Sequence, residues 1–143
     1  MLIFLDIDGV MTPASSWRVP QLLEDGFPMF TEKATQALAS LLRPDTQVIL
    51  TTSHRDRFTL PQWKEIFTRR GLHIEHLDRL SSVRTPSNRR IEIQEWFSSN
   101  PIPEDFLILD DDKTLLALPD KLKDHLHVTP SLVGLTPEDL PAK

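Results

Sequence analysis

Cysteine is absent from this chain of 143 residues, and so are long apolar runs. The lack of cysteine excludes disulfide bonds, thiol catalysis and cysteine-ligated zinc sites. The apolar run at the N-terminus, MLIFL, is short, has no basic flank and is soon followed by two acidic residues. It is therefore predicted to be neither a signal peptide nor a membrane span, and we expect a cytoplasmic protein without a membrane partner.

An excess of positive charge is also missing, since the formal net charge is −5 at pH 7. This balance argues against broad, nonspecific binding of nucleic acid. The charge is unevenly placed, because residues 54–90 hold nine basic and four acidic side chains, whereas the rest of the chain holds seven basic and seventeen acidic ones. A basic middle segment is able to face an anionic substrate, although solvated helix faces explain the same pattern equally well.

Short apolar runs alternate with amphipathic segments along the chain, which predicts alternating strands and helices. The predicted strands are 2–5, 48–50, 72–76, 106–109 and 126–128, and the predicted helices are 31–42, 61–70 and 88–99, with a helical turn at 137–140. Strands that alternate with helices form a parallel sheet covered on both faces. We therefore predict an α/β fold, a three-layer Rossmann-like domain over residues 1–143, with no second domain or repeat.

Two acidic residues follow the first predicted strand. Asp6 and Asp8 are two positions apart, so strand alternation predicts that their side chains point the same way. Adjacent carboxylates repel each other, and a divalent cation with oxygen ligands relieves that repulsion. A carboxylate can also attack phosphorus while its neighbour handles the proton of the leaving group. Gly9 allows a sharp turn out of the site. Taken alone, DxDG is equally typical of a solvated acidic loop or a calcium loop.

Three further polar groups lie at or near later strand ends. Residues 51–53 are Thr-Thr-Ser, and hydroxyls at this position either bind a phosphoryl oxygen or simply end a strand. The pair Arg89-Arg90 opens a predicted helix, where it either counters phosphoryl charge or lies on the surface. Residues 110–112 are three aspartates, whose repulsion is relieved if at least one binds a metal. Ligands bind at the carboxyl ends of parallel strands, so we expect these groups to meet there.

This order of a DxD motif, a hydroxyl, a basic residue and an acidic pair resembles the four motifs of the haloacid dehalogenase (HAD) superfamily. The resemblance implies a capless HAD-like fold and a Mg²⁺-dependent phosphatase in which Asp6 is the nucleophile that forms an aspartyl-phosphate. It also implies that Asp8 is the general acid/base and offers its backbone carbonyl to Mg²⁺. An acid at this position favours phosphatases and phosphotransferases over dehalogenases, which lack it.

The same resemblance assigns the remaining site residues, with some alternatives open. The phosphate-binding hydroxyl is Ser53, with Thr52 as the alternative, and Arg55 is a further substrate contact. The cation that stabilises the phosphoryl group is Arg89 or Arg90. The residues implied to bind Mg²⁺ are Asp6, Asp8, Asp110 and Asp111, with Asp112 as the alternative to Asp111.

A closer resemblance covers nearly the whole chain. The segments FLDIDGV, VILTTSHR, TPSNRRIEIQEWF, FLILDDD and VGLT are similar to the small HAD domains found in, or related to, RNA repair (Swiss Army Knife) proteins. Those domains often carry Ser-Trp-Arg in the second motif, where this chain has Ser53-His54-Arg55. His54 thus departs from the common pattern and is either a pocket residue or a half-buried histidine.

The segments between the motifs leave no room for a cap domain of appreciable size. The site is therefore predicted to be open, which suits a phosphate on a large molecule, such as a polynucleotide (3′-)phosphate end or a phosphoprotein. In the loop 12–29, Trp17, Arg18 and Phe27 are candidates to stack on a base or sugar of the substrate; in the alternative, Trp17 and Phe27 pack the loop onto the sheet. Two other functions stay open: a phosphatase for small phosphoesters, and a non-catalytic binding module, against which the intact motif set counts.

Overall fold

The computed structural model describes residues 1–13, 22–81 and 88–140, which contain a five-stranded, fully parallel sheet. The strands are β1 (Leu2–Leu5), β2 (Gln47–Leu50), β3 (His76–Arg79), β4 (Phe106–Asp110) and β5 (Leu126–Val128). Their order across the sheet is β3-β2-β1-β4-β5, so β1 is central. This architecture confirms the predicted α/β, Rossmann-like fold.

The central strands are buried along their whole length, as a sheet covered on both faces requires. Their register is aligned at the carboxyl edge, because Leu5 of β1 pairs with Leu50 of β2 on one side and with Leu109 of β4 on the other. The residues that follow these three leucines therefore begin at the same level of the sheet.

The helices begin where the sequence provides polar caps. They are α1 (Glu32–Leu41), α2 (Leu60–Arg69), α3 (Arg89–Ser99) and α4 (Asp120–Lys123), with 3₁₀ turns at Lys113–Ala117 and Pro137–Asp139. The side chains of Thr31, Thr59 and Asn88 each accept a backbone N–H from the first turn of α1, α2 and α3 respectively. These bonds satisfy donors that the helix itself leaves unpaired.

Two apolar layers cover the sheet. Ile3 and Leu5 point to one face, where they pack with buried residues of α1 and α2. Leu2 and Phe4 point to the other face, where they pack with α3, α4 and the 3₁₀ turn Lys113–Ala117. The alternation along β1 thus supplies both layers from one strand, which confirms the predicted three-layer arrangement.

Apart from shifts of one residue at the ends of elements, the structure departs from the prediction in the position of β3 and in two elements that the prediction missed. The strand predicted at 72–76 is wrong, since β3 starts at His76. Leu72 and Ile74 are instead buried core residues beyond α2, and the Leu72 N–H donates to the Phe67 carbonyl at 3.0 Å, which closes the end of that helix. The prediction also missed the 3₁₀ turn Lys113–Ala117 and α4, which are too short to show a helical period.

Arg70 fastens the segment before α1 to the end of α2. Its guanidinium donates to Asp25 Oδ2 at 2.7 Å, to the Phe27 carbonyl at 2.9 Å and to the Pro28 carbonyl at 2.9 and 3.1 Å. It also lies 4.9 Å from the centre of the Phe30 ring. The hydrogen bond from Arg70 lowers the pKa of Asp25.

The described parts of the connections between strands contain no cap domain. Between β1 and α1, residues 6–13 and 22–31 contain two isolated bridges, Asp8–Thr12 and Leu22–Pro28. Between β2 and β3 the chain forms α2. Within the residues that the structure describes, no helix has the length and apolar character needed to cross a membrane.

Candidate active site

Three polar residues meet at the carboxyl edge of the sheet because the strands are in register. Asp6 follows β1, Thr51 follows β2, and Asp110 ends β4, and at most 4% of each residue is exposed. The Asp6 N–H donates to the Leu109 carbonyl at 3.0 Å, and the Thr51 N–H donates to the Leu5 carbonyl at 2.9 Å. These bonds extend the sheet by one residue, so its backbone ladder positions the three side chains.

Asp6, Asp110 and Asp111 form a compact acidic cluster. Each offers a carboxylate oxygen, and these oxygens all lie within 4.8 Å of one another. The Asp111 carboxylate accepts a hydrogen bond from the Ser131 hydroxyl at 2.9 Å, which fixes its direction. Carboxylate oxygens are hard ligands of the kind that Mg²⁺ prefers, so the Mg²⁺ implied by the motif resemblance fits these residues.

Gly9 allows the chain to pass close to this cluster. Its φ is +81°, in the left-handed region that glycine adopts without strain. A Cβ atom at this position would lie 2.0 Å from Oδ2 of Asp111. Gly9 is therefore required both for the turn and for the position of the Asp111 carboxylate.

Burial raises the pKa of two of the three carboxyl groups, Asp6 and Asp110. Burial, and then repulsion from the Asp110 carboxylate, raise the pKa of Asp6 to about 9, although Arg89 opposes the shift. Burial likewise raises the pKa of Asp110. Two carboxyl groups that share a dry site in this way are suited to give up protons when a cation binds.

The structure distinguishes between the two arginines at the start of α3. Nη1 of Arg89 lies 2.5 Å from Asp110 Oδ2, 3.1 Å from the Thr51 hydroxyl and 3.5 Å from Asp6 Oδ1. Burial alone would lower the pKa of Arg89, but Asp110 and Asp6 outweigh it and raise that pKa. Arg90 instead donates to Gln94 at 3.2 Å, one turn along its own helix. Arg89 is thus the cation that faces the cluster.

The same geometry distinguishes Asp111 from Asp112. Asp112 Oδ1 accepts the N–H of Thr114 at 2.9 Å and its hydroxyl at 2.7 Å, which caps the 3₁₀ turn Lys113–Ala117. The Asp112 N–H donates to Asp110 Oδ1 at 3.1 Å. Asp112 therefore supports the cluster through its backbone, while Asp111 contributes a carboxylate.

Asp8 does not extend the acidic cluster through its carboxylate. Strand β1 ends at Leu5, so the alternation predicted for Asp6 and Asp8 does not continue, and 53% of the Asp8 side chain is exposed. Its Oδ2 lies 2.9 Å from Nε2 of His54, and its Oδ1 accepts from the Thr12 hydroxyl at 3.5 Å. His54 is half-buried at the rim of the site, next to the predicted acid/base.

The other predicted substrate contacts differ in whether their side chains are exposed and free of hydrogen bonds within the protein. Ser53 is exposed, whereas Thr52 is buried and its hydroxyl accepts the His54 N–H at 3.2 Å. Arg55 is 6% exposed, and carbonyl groups and a carboxylate accept its donors. This geometry favours a supporting role for Arg55. Trp17 lies outside the described residues.

Sequence reasoning did not predict the contacts that Thr51, Ser131 and Glu92 make with other residues of the site. Thr51 had a usable signal, because it directly follows an apolar strand, as Asp6 and Asp110 do. Ser131 approaches Asp111 only through the turn after β5, and Glu92 lies inside α3. No local pattern marks either of them.

Comparison with known proteins connects this geometry to a family. The sequence profile of the HAD domain in Swiss Army Knife RNA repair proteins matches residues 2–140. Neither a curated protein nor a solved structure matches the chain.

Proposed function

The chain belongs to the family of HAD domains found in Swiss Army Knife RNA repair proteins, and from that premise we propose that it is a Mg²⁺-dependent phosphatase. We propose further that it acts through an aspartyl-phosphate on Asp6 and that its substrates are phosphorylated polynucleotide ends, the 3′-phosphate foremost. The observation that carries this proposal is the set of three carboxylates within 4.8 Å, formed by Asp6, Asp110 and Asp111, with Arg89 against it.

The chemistry needs a nucleophile, a proton donor and a positive environment. Bound Mg²⁺ would lie among Asp6, Asp110 and Asp111, and would supply positive charge that lowers repulsion between an anionic phosphate and the carboxylates. Asp6 attacks phosphorus as the bond to the leaving oxygen breaks, and Asp8 donates its proton to that oxygen. Asp8 then accepts a proton from the water that attacks the aspartyl-phosphate, which releases phosphate and restores Asp6.

Arg89 supports the same reaction through its contacts with the cluster. Its Nη1 reaches both Asp6 and Asp110, so it holds the nucleophile in place and offsets charge on the phosphoryl group. Arg89→Lys keeps the charge but loses the planar fork, and we expect kcat to fall at least tenfold. Arg90→Lys, the same change one residue along, is the matched control and should retain wild-type activity, because Arg90 contacts Gln94 instead.

The polynucleotide substrate is supported by the family and by the absence of a cap domain from the described parts of the connections. The family is described by its occurrence in RNA repair proteins, and the described parts of the connections contain no cap domain over the cluster. An open site accepts a phosphate that a large molecule presents. Polynucleotide binding would fall steeply with added salt, whereas a small phosphoester would bind with a weaker salt dependence.

The direct test is phosphate release with and without Mg²⁺, for the wild type and Asp6→Asn. The panel contains an aryl phosphate, sugar and nucleotide phosphates, and oligonucleotides with 3′- or 5′-phosphates. Asp112→Asn is the control, because asparagine also caps a helical turn and keeps the backbone N–H that donates to Asp110. We expect EDTA and Asp6→Asn to abolish release and Asp112→Asn to retain it. Phosphate release by Asp6→Asn at the wild-type rate would disprove the nucleophile assignment.

A second test addresses the covalent intermediate. An aryl leaving group departs without a proton donor, so Asp8→Asn should still form the aspartyl-phosphate but hydrolyse it slowly. We expect a burst of about one aryl alcohol per protein, with little phosphate release, and a phosphorylated protein that hydroxylamine cleaves. Equal rates of alcohol and phosphate release from the first turnover would contradict the assigned role of Asp8.

A further inference from the structure

Glu92 lies between two arginines in a nearly buried chain of charges next to the acidic cluster. One carboxylate oxygen of Glu92 pairs with Nη2 of Arg55, and the other lies 3.8 Å from Nε of Arg89. The exposed fractions of the three side chains are 8% for Arg55, 13% for Glu92 and 11% for Arg89. A contact of this kind between buried charges is screened little by water.

The Arg55 end of this chain is fixed to the sheet. Its Nε donates to the Leu80 carbonyl at 2.9 Å, and its Nη1 donates to the Thr52 and Thr51 carbonyls at 3.2 and 3.4 Å. These carbonyls follow β2 and β3 directly, so the guanidinium is held by rigid backbone. The planar fork of arginine makes such a set of bonds directional.

The Arg89 end of this chain contacts the acidic cluster. Arg89 and Glu92 are three residues apart in the first turn of α3, so they share one side of the helix. The Nε of Arg89 faces Glu92, while its Nη1 faces Asp6 and Asp110. An arginine at a helix start has several rotatable bonds, and a contact on its Nε side removes part of that freedom.

We propose that Glu92 is the positioning residue for Arg89, and that Arg55 anchors it. Glu92 also offsets one of two neighbouring guanidinium charges, so that Arg89 is not repelled from its place by Arg55. This inference rests on the proposed phosphatase function for its kinetic consequences. The role of Arg55 is then to connect the ends of β2 and β3 to α3.

A double-mutant cycle tests whether Glu92 acts through Arg89. Glu92→Gln keeps the shape and removes the charge, and Glu95→Gln makes the same change at an exposed position of the same helix. We expect Glu92→Gln to lower kcat at least tenfold with KM changed less than threefold, and Glu95→Gln to match the wild type. In the Arg89→Lys background, Glu92→Gln should lower kcat no further. Additive losses would overturn the proposal.

A spectroscopic readout separates this inference from the proposed function. The Nε–H resonance of Arg89 is assigned by its loss in Arg89→Lys, and its exchange with solvent is compared among variants. We expect slow exchange in the wild type and Glu95→Gln and faster exchange in Glu92→Gln. Equal exchange in all three would overturn the inference even if the enzyme is active. If the wild type releases no phosphate, the proposed function fails and the exchange rates still decide the role of Glu92.

A variant that fails to fold is recognised by thermal unfolding before the assays. Glu92→Asp then replaces Glu92→Gln, because it keeps the charge but is too short to reach both arginines. We expect it to increase the exchange of the Arg89 Nε–H and to lower kcat by a smaller factor. Wild-type exchange and wild-type kcat in Glu92→Asp would count against the proposal.

Discussion

Replacing the proposed nucleophile should stabilise the metal-free protein while it abolishes activity. With a pKa of about 9, Asp6 is protonated in the folded protein at neutral pH, whereas the ordinary aspartate value of 3.8 describes the unfolded chain. Folding must therefore take up a proton, which costs about 1.4 kcal/mol for each pH unit above 3.8. An asparagine at this position needs no proton, and its amide N–H can still donate to Asp110. Asp6→Asn should thus be more stable in EDTA.

The sign and size of this effect depend on pH. The raised pKa of Asp6 means that its proton stabilises the folded state at low pH, and that this stability is lost as pH rises from about 4 towards 9. From pH 5 to pH 7 the advantage of Asp6→Asn over the wild type should grow by at most about 3 kcal/mol. Asp110 and Arg89 share the site, so we expect a growth of about 1–3 kcal/mol.

Urea denaturation in EDTA at pH 5 and pH 7 measures this difference. Asp45→Asn is the control, because it removes a carboxylate at an exposed position away from the site, and it should not reproduce the growing gap. A gap between Asp6→Asn and wild type that stays constant from pH 5 to pH 7, or a variant less stable than wild type at pH 7, would refute the reasoning.

Two further predictions concern the turn at Gly9 and the contact between Arg70 and Asp25. Gly9→Ala should lose about 1–3 kcal/mol of stability and weaken Mg²⁺ binding, because its φ is +81° and its Cβ displaces Asp111. Gly26 has a similar φ, +75°, but a Cβ atom there would have no atom within 4 Å. Calorimetry should therefore show that Gly26→Ala loses stability and keeps its Mg²⁺ affinity. Equal Mg²⁺ affinity in the two variants would contradict this prediction. The hydrogen bond from Arg70 lowers the pKa of Asp25, so its stabilisation is present above the unfolded value of 3.8 and is lost as pH falls below it. In acid titrations Asp25→Asn should lose less stability between pH 4 and pH 2 than the wild type, and an identical loss would contradict the assignment.

The sequence predicted the central strands and the ends that carry the chemistry, because these features are local. Strands β1 and β4 are nearly continuous apolar runs, and the acidic residues at their ends stand out because they add nothing to an apolar core. Strand β3 was misplaced because its residues alternate between exposed and half-buried, while the apolar Leu72 and Ile74 before it fill the core without pairing as a strand.

The contacts within the site depend on geometry that no pattern in the sequence records. Arg89 and Arg90 are adjacent and chemically identical, but about 100° separates their side chains around α3, so one faces the cluster and the other Gln94. Arg55 looked like a substrate contact by its motif position, and only tertiary structure brings the Leu80 carbonyl and Glu92 to it.

The alignment of Leu5, Leu50 and Leu109 constrains the sequence at the strand ends more than the sequence of the loops. Asp6 and Asp110 are placed by paired backbone in the core, where a slip of one residue would turn them to the opposite face. Loop residues that do not touch the cluster, unlike Gly9 and Ser131, play no part in this alignment, so their sequences can diverge and recognise new molecules. We therefore expect substrate preference to evolve quickly on this scaffold, while the chemistry it performs evolves slowly.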